Sequence, residues 1–232
     1  MNDMEIEVLS WNIWCDGNFE KVSEFLAASN ADIIGLQEIV PEDKGRDVVS
    51  FLSKLGYEHA VAPIGATLGD GRMITSGIFS KYPIQEQKVH MLSEESRRQA
   101  IEVEIKVDKV MLTVFSFHLK HTHQQESSLQ NLQADNLIKV LPKEKVIVMG
   151  DFNATSDMTP IKRTREVLVD TNPNSAPTLD PSLFDCKKCD PKAIADTRLD
   201  YIFASKDLKT HSPKVEKSQG SDHLPISVIV EV

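Results

Sequence analysis

Hydrophobic and polar positions alternate along much of the chain, a pattern that predicts β-strands. The clearest case is the alternation over 101–107, which turns at Asp108-Lys109, resumes over 110–115 and so predicts an antiparallel hairpin. Other short apolar runs predict further strands, at 6–12, 32–38, 77–80, 89–92, 146–149, 199–203 and 226–230.

Helical spacing of apolar residues interrupts these strands in four places. One helix is predicted before Asn30, a second closes at Gly56, and a third covers about 124–141. Thr159-Pro160 is predicted as the cap and first residue of a short fourth helix. Many strands with a few interspersed helices favour two β-sheets packed face to face, with the helices outside.

A single domain covering 1–232 is the expected organisation. The chain is 41% hydrophobic and 26% charged, which allows a sizeable core without disulfides or a structural metal. Residues 170–196 are rich in Pro, Asp, Asn and Ser and predict a long loop. Because candidate site residues lie on both sides of this loop, a domain boundary there would divide the site.

Charge and cysteine content narrow the functional classes. The formal net charge is −9 and the sequence pI about 5.3, so the protein should repel long polyanions such as duplex DNA. The start lacks a secretory pattern and no apolar run reaches about 18 residues, so a cytoplasmic protein is expected. Cys186 and Cys189 have C-x-x-C spacing without a second pair or nearby histidine, which favours two incidental loop thiols.

Polar residues of the types that bind hard cations or move protons follow the predicted strands. They are Asn12, Glu38, His118, Asp151 with Asn153, and Asp200, joined near the C terminus by Asp222 and His223. Each alone is more simply a turn former or a structural histidine. Together they match a Mg²⁺ site, with Mn²⁺ as the alternative, because Mg²⁺ prefers a few oxygen ligands to a cage of histidines.

An ordered set of motifs carries a family resemblance across residues 11–225. The motifs are Trp11-Asn12-Ile13, Gln37-Glu38, the segment 77–84 (GIFSKYPI), Ser116-Phe117-His118-Leu119, Gly150-Asp151-Phe152-Asn153, Arg198-Leu199-Asp200-Tyr201-Ile202-Phe203 and Ser221-Asp222-His223-Leu224-Pro225. In this order they resemble the endonuclease/exonuclease/phosphatase superfamily of deoxyribonuclease I-like hydrolases. The resemblance implies an α+β fold, a four-layer α/β/β/α sandwich of two mixed sheets, with the active site where strand ends of both sheets meet.

The resemblance also implies roles for the matching residues. Glu38, Asn12 and Asp222 would hold the metal, and His223, oriented by Asp200, would act as the general base. Asp151 and Asn153 would position the attacking water and a phosphate oxygen, while His118 would donate to the phosphoryl group.

Two features next to these motifs each allow two interpretations. Arg98 aligns with a basic position that often precedes a strand in the family, so it is a candidate substrate contact; the alternative is a surface salt bridge to Glu94 or Glu95. After His118, the segment Leu119-Lys120-His121-Thr122-His123 replaces the Leu-Asp-His that is frequent in the family, so the Asp is absent and His121 and His123 are additional. They could line the substrate cleft or bind metal adventitiously, although a solvated loop is the simpler interpretation.

The expected function is therefore hydrolysis of a phosphate ester, as a phosphodiesterase or phosphatase. The negative net charge favours a small or lipid-like ester, and a DNA or RNA nuclease of the same superfamily is the alternative. A non-catalytic descendant should have lost some site residues, whereas here every matching polar position is filled. No obligate protein partner and no transmembrane segment are expected.

Overall fold

The computed structural model describes residues 4–180, 182–183 and 197–232. Cys186 and Cys189 lie outside the described residues. The strands, in chain order, are β1 (Glu5–Asn12), β2 (Ile33–Ile39), β3 (Glu58–Val61), β4 (Ala66–Thr67), β5 (Met73–Ser80), β6 (Ile84–Ser93), β7 (Arg98–Val107), β8 (Val110–His118), β9 (Val146–Asp151), β10 (Val169–Asp170), β11 (Asp200–Ala204), β12 (Lys209–Val215) and β13 (Ile226–Glu231).

Four α-helices are found in the described part of the chain. They are α1 (Phe19–Ser29), α2 (Val48–Lys54), α3 (Ser128–Val140) and α4 (Thr159–Val167), with a short 3-10 turn at Lys44–Arg46 before α2. None of the helices in the described ranges is both long and apolar enough to cross a membrane.

The strands form two mixed sheets. The first has the order β12-β13-β1-β2-β5-β3, with β4 also paired to β5, and the second has the order β10-β11-β9-β8-β7-β6. One neighbouring pair in each sheet is parallel, β1 with β2 and β8 with β9. The strongly predicted β7–β8 hairpin is present, with Val107 paired to Val110 across its turn.

Apolar side chains fill three layers between the elements. The central layer joins the inner faces of the two sheets, with residues such as Ile6, Ile33, Val103 and Ile147. A second layer packs the first sheet on α1 and α2, through Trp11, Val22, Leu26, Leu36 and Leu52. The third packs the second sheet on α3 and α4, through Phe115, Phe117, Ala134, Leu137 and Ile161. The fold is thus the expected four-layer α/β/β/α sandwich.

Strand parity explains which polar residues reach the interior. In β9, Ile147 and Met149 point into the central layer, so Asp151 follows them onto the inner face. The same two-residue period brings His118 of β8 inward after Leu112 and Val114. The central layer is therefore apolar along most of its length and becomes polar at one end.

Two local predictions differ from the structure. Thr159 was expected to cap the fourth helix, but the cap position is Met158 and no side chain caps it. Instead the Glu126 carboxylate accepts the Thr159 N–H at 2.7 Å, so a residue from another part of the chain supplies the missing acceptor. The expected loop 170–196 also begins with regular pairing, since Asp170 belongs to β10 (Val169–Asp170) and Leu179 pairs with His223.

The carboxylate of Asp170 joins α4, β10 and the segment before β11. It accepts hydrogen bonds from Arg165 Nη2 at 2.7 Å and from Arg198 Nη2 at 2.9 Å, and its side chain is 4% exposed. Burial alone would raise the pKa of Asp170. The two arginines lower the pKa by a larger amount, so it lies below the ordinary value.

We predict that Asp170→Asn destabilises the protein by about 3–5 kcal/mol, because two arginines lose a buried partner. Since the folded pKa is lowered, the stabilisation by Asp170 is present above the unfolded pKa of about 3.9 and is lost as pH falls through the folded pKa. Urea unfolding at pH 7 and at pH 3 measures both effects. Asp135→Asn breaks the exposed pair with Arg163 and should cost no more than about 1 kcal/mol; equal losses would contradict the prediction.

Candidate active site

Three neighbouring strands of the second sheet place acidic and imidazole side chains in one row. His118 of β8 is paired with Asp151 of β9, and Asp151 is paired in turn with Asp200 of β11. All three residues are buried. The row faces the first sheet, so residues from both sheets can contribute to one site.

Asp200 and His223 form a hydrogen-bonded pair. His223 Nδ1 lies 2.8 Å from Asp200 Oδ2, which leaves His223 Nε2 on the side of Asp151, 3.8 Å from Asp151 Oδ2. A bond from Nδ1–H to a carboxylate fixes the imidazole tautomer with its lone pair on Nε2. His223 is thus held as a proton acceptor at Nε2.

The loop that carries His223 is fastened to β1. The Ser221 hydroxyl donates to the Asn12 carbonyl at 2.7 Å and accepts the His223 N–H at 3.1 Å. The indole N–H of Trp11 donates to the His223 carbonyl at 2.8 Å. The bonds from Ser221 to Asn12 and from Trp11 to His223 join residues 209 and 212 positions apart in the chain.

Glu38 enters the site through a bulge in β2. Strand alternation would direct the Glu38 side chain to the outer face of the sheet, where Leu36 lies. A bulge reverses this direction, because Glu38 has φ of 59° and the β2–β5 register shifts between Leu36 and Ile39. Its carboxylate then accepts from Asn12 Nδ2 at 3.2 Å and from the Cys15 N–H at 3.0 Å. Left-handed backbone at a non-glycine residue is strained and is common at functional sites.

Asn12 and Asn153 link the carboxylates to each other. Asn12 Nδ2 lies 3.1 Å from Asp151 Oδ2 as well as near Glu38, which connects the two sheets. The Asn153 backbone N–H donates to Asp151 Oδ1 at 2.7 Å, and Asn153 Nδ2 lies 2.8 Å from His118 Nε2 and 3.1 Å from the Leu119 carbonyl. The amide nitrogen of Asn153 is thus engaged within the protein.

His118 presents one ring nitrogen to the acidic cluster and one to the cleft. Nε2 lies 3.2 Å from Asp151 Oδ2. Nδ1 lies 4.0 Å from Glu38 Oε1, which is too far for a hydrogen bond. Nδ1 therefore has room to donate to an oxygen that enters between His118 and Glu38.

Neighbouring charges shift the pKa values of the buried groups in the site. Burial works to lower the pKa of His223, but the negative charges of Asp200 and Asp151 raise it well above 6.5. Burial opposes ionisation of Asp151, yet His118 and His223 hold its pKa far below the usual range. The pKa of Glu38 is also lowered, since His118 and the Cys15 N–H outweigh its burial.

Asp222 and Arg98 complete the wall of the site. Burial raises the pKa of Asp222 to about 6, so a nearby cation would favour its ionised form. Burial lowers the pKa of Arg98, while Glu38 and Asp151 act in the opposite direction. No hydrogen bond or ion pair joins the Arg98 guanidinium to another described residue, Glu94 and Glu95 included. Arg98 is therefore a cation with unused donors at the cleft.

These side chains open into a cleft of about 460 Å³. Five carboxylates line it, from Asp16, Glu38, Asp70, Asp151 and Asp222, against two arginines, Arg72 and Arg98. The carboxylates outnumber the arginines, so a bound cation would favour the entry of an anion. The carboxylate oxygens of Glu38 and Asp222 are of the kind that Mg²⁺ or Mn²⁺ prefers, so the residues present fit a hard divalent cation. Asn12 Oδ1, predicted as a further ligand, already accepts the Trp14 N–H at 3.0 Å, so Asn12 orients Glu38 through Nδ2 instead.

A second group of possible ligands lies close by. Ligand atoms of Asp151, Asp200 and His223 all lie within 4.8 Å of one another. However, Asp200 and His223 already use Oδ2 and Nδ1 for each other, at 2.8 Å. The set around Glu38 is therefore the better candidate for the cation.

The two additional histidines lie at the edge of the cleft. His121 lines it, and its ring centroid is 4.5 Å from that of His123. Burial lowers the pKa of His121, which favours a neutral ring. Both residues keep part of their surface exposed. His121 therefore lies on a solvated loop that also borders the cleft.

The sequence patterns missed several residues that shape the site. The Thr178 hydroxyl donates to Asp200 Oδ2 at 2.6 Å and accepts the Leu199 N–H at 3.0 Å. Gln130 of α3 donates to the carbonyls of Phe152 and Asn153, at 3.1 and 3.0 Å. Thr178 lies in a predicted loop, where no sequence pattern indicates its bond to Asp200. For Gln130, the one sequence signal is a polar residue among the apolar positions of a predicted helix.

Comparison with known proteins identifies the family of the chain. Residues 9–223 match the family model for the endonuclease/exonuclease/phosphatase family. The chain belongs to this family. Its members are metal-dependent hydrolases that act on phosphoesters. No curated protein sequence matches the chain significantly.

Solved structures of the family share the fold at low identity. A protein of this family from Beutenbergia cavernae is 17% identical with a TM-score of 0.79, over 98% of this chain and 72% of that one. The human Nocturnin catalytic domain with bound sulfate is 20% identical with a TM-score of 0.76, over 99% and 95%. D. rerio TDP2 with a single-strand DNA product is 18% identical with a TM-score of 0.75, over 99% and 100%. At these identities the likeness establishes the fold alone.

Proposed function

We propose that this protein is a Mg²⁺-dependent hydrolase of small phosphate esters in which His223 activates the attacking water. The observation that carries the proposal is the pair formed by His223 and Asp200, with His223 Nε2 facing Asp151 across 3.8 Å. One water molecule between Nε2 and Asp151 Oδ2 could donate one proton to each group. The neighbouring carboxylates around Glu38 supply the place for the cation.

Proton transfer follows from this arrangement. His223 Nε2 accepts the proton of the water as its oxygen attacks phosphorus, and Asp200 stabilises the imidazolium that forms. Asp151, ionised because His118 and His223 lower its pKa, orients the water by accepting its second proton. Since Asp151 and Asp200 both favour the charged imidazole, they make His223 a stronger base than free imidazole.

Several groups would stabilise the negative charge on the phosphoryl group. His118 donates from Nδ1 to one non-bridging oxygen, and Arg98 donates from its unused guanidinium N–H groups to another. Glu38 and Asp222 would hold a Mg²⁺ ion, which would supply positive charge that offsets the acidic cleft and polarises the phosphoryl oxygens. Asn153 supports Asp151 and His118, because its amide nitrogen is already used within the protein.

The choice of a small ester follows from charge. The whole chain has a formal net charge of −9, and carboxylates outnumber arginines in the cleft. A long polyanion would meet repulsion along its length, whereas a single phosphate meets the bound cation and Arg98. A nuclease remains the second candidate and is separated from the first by substrate choice.

A substrate panel tests the proposed function. Plasmid, a single-stranded oligonucleotide, inositol phosphates, sphingomyelin and bis-p-nitrophenyl phosphate are offered with Mg²⁺, with Mn²⁺ and with EDTA. We expect hydrolysis of small esters that EDTA abolishes and that Glu38→Ala lowers at least about 10²-fold, since the cation and its charge are lost. Nicking of plasmid with no activity on small esters would instead support the nuclease.

Cation binding by Glu38 gives a prediction independent of turnover. Glu38→Gln removes one charged oxygen ligand and should weaken Mg²⁺ binding about 10-fold or more in calorimetry, because an amide oxygen attracts a hard cation less than a carboxylate does. Glu42→Gln changes an exposed glutamate a few residues away and serves as the matched control. Equal affinities of the two variants would remove Glu38 from the proposed cation site.

The proposed base predicts a pH profile. His223 must be neutral to accept a proton and its pKa is raised, so kcat/KM at saturating Mg²⁺ should rise with pH through a value above about 6.5. In Asp200→Asn this limb should move to lower pH and kcat should fall, because the imidazolium loses its carboxylate partner. A limb that is the same in Asp200→Asn as in the native protein would exclude this pairing.

Thr178 gives a prediction about positioning. Thr178→Val keeps the shape of the side chain but removes the hydroxyl that donates to Asp200 Oδ2, so Asp200 can rotate away from His223. We expect kcat to fall about 10-fold with little change in KM, since about 1–2 kcal/mol of hydrogen bonding is lost at the pair that moves the proton. Thr178→Ser retains the hydroxyl and should restore most of the rate. A loss in the serine variant equal to that in the valine variant would point to packing instead.

A further inference from the structure

One wall of the cleft is apolar, in contrast to the charged site beside it. Trp14, Leu68 and Ile74 all line the cleft. Trp14 and Leu68 are half-buried and pack on a small cluster of Cys15, Val40 and Ile74, separate from the three large apolar layers. Apolar surface left open beside a catalytic site is characteristic of a ligand-binding wall.

Trp14 differs from the other tryptophan of the chain. Trp11 is fully buried and packs edge-on against Phe25, with ring centroids 5.1 Å apart. Trp14 is only partly buried, two residues after Asn12 of the candidate site. Core packing accounts for Trp11 but leaves the position of Trp14 unexplained.

The backbone of Trp14 is fixed from several sides. Its N–H donates to Asn12 Oδ1 at 3.0 Å, and its carbonyl accepts from Arg46 Nη2 at 2.7 Å and from the Gly17 N–H at 2.8 Å. It adopts φ of 46°, a left-handed conformation that is rare for a bulky residue. These contacts fix the backbone from which the ring projects, which lowers the entropy cost when a ligand stacks on the ring.

The charged groups next to this wall are already paired. Arg72 binds Asp16 at 2.8 Å and Asp70 at 2.7 Å, and both carboxylates also line the cleft. Arg72 therefore has no excess charge to offer to a second anionic group. The wall suits an uncharged, flat and largely apolar part of a substrate.

We propose that Trp14 and Leu68 form a leaving-group subsite for a planar aromatic ring of the nucleobase type. This inference rests on the proposed function, in which the phosphoryl group is held by Arg98, His118 and the cation. The substrate class is then a phosphoester of a nucleoside. Hydrolysis transfers the phosphoryl group to water and releases the nucleoside alcohol, with no redox change.

The test uses two substrates that differ only in the ring. Adenosine 5′-monophosphate and ribose 5-phosphate have the same leaving hydroxyl, and their methyl diesters form an equivalent pair if the enzyme cleaves diesters. Stacking of a base on an aromatic side chain predicts that kcat/KM for the adenosine compound exceeds that for the ribose compound by about tenfold or more. Absence of this preference would overturn the proposal.

Variants of Trp14 test whether this side chain causes the preference for the adenosine compound. Trp14→Phe keeps a ring and should retain most of the ratio, whereas Trp14→Leu keeps apolar bulk and should bring the ratio close to one. The readout is the ratio of the two kcat/KM values within each variant, so a change in overall rate that affects both compounds equally does not alter it. A Trp14→Leu ratio equal to the native one would remove Trp14 from the subsite even if hydrolysis occurs.

Binding measurements separate this inference from the proposed function. The chain has two tryptophans, so quenching of intrinsic fluorescence by adenosine 5′-monophosphate, but not by ribose 5-phosphate, reports a base on the accessible Trp14. Quenching in the presence of Mg²⁺ without any hydrolysis would support the subsite and reject the proposed reaction. Hydrolysis without quenching or base preference would support the reaction and reject the subsite.

Discussion

Packing of the two sheets through their inner faces is the contact on which the candidate site depends. Asn12 and Glu38 come from the first sheet, and Asp151 comes from the second, so they meet only when the central apolar layer is formed. Gly35 permits this approach, since a Cβ there would lie 2.7 Å from the side chain of Met149. A small change in sheet spacing would separate the two halves of the site.

The end of the central layer changes from apolar to polar in steps. Gln37 Nε2 donates across the sheets to the Ser116 hydroxyl at 3.1 Å, between the apolar core and the site. Beyond this bond come the carboxylates and imidazoles, whose mutual charges offset the cost of their burial. Burial of the apolar remainder of the layer holds the two sheets together, and this packing keeps the polar groups at the end of the layer in contact.

The loop after β1 connects the two parts of the cleft. Asn12 Nδ2 contacts the carboxylates of Glu38 and Asp151, while its Oδ1 accepts the N–H of Trp14. The Cys15 N–H from the same loop binds Glu38. The geometry of the charged part of the cleft and of its apolar wall is therefore fixed by one segment.

The sequence by itself determined the class of elements and much of the site. Alternation placed Asn12, His118, Asp151 and Asp200 at strand ends, and the ordered motifs identified the family, because side-chain period and residue type are local properties. Only the tertiary structure decided the direction of Glu38, since a bulge reverses the side predicted by alternation. The same holds for Thr178 and for the acceptor of the Thr159 N–H, because hydrogen-bond partners distant in the chain are chosen by packing and leave no periodic signal.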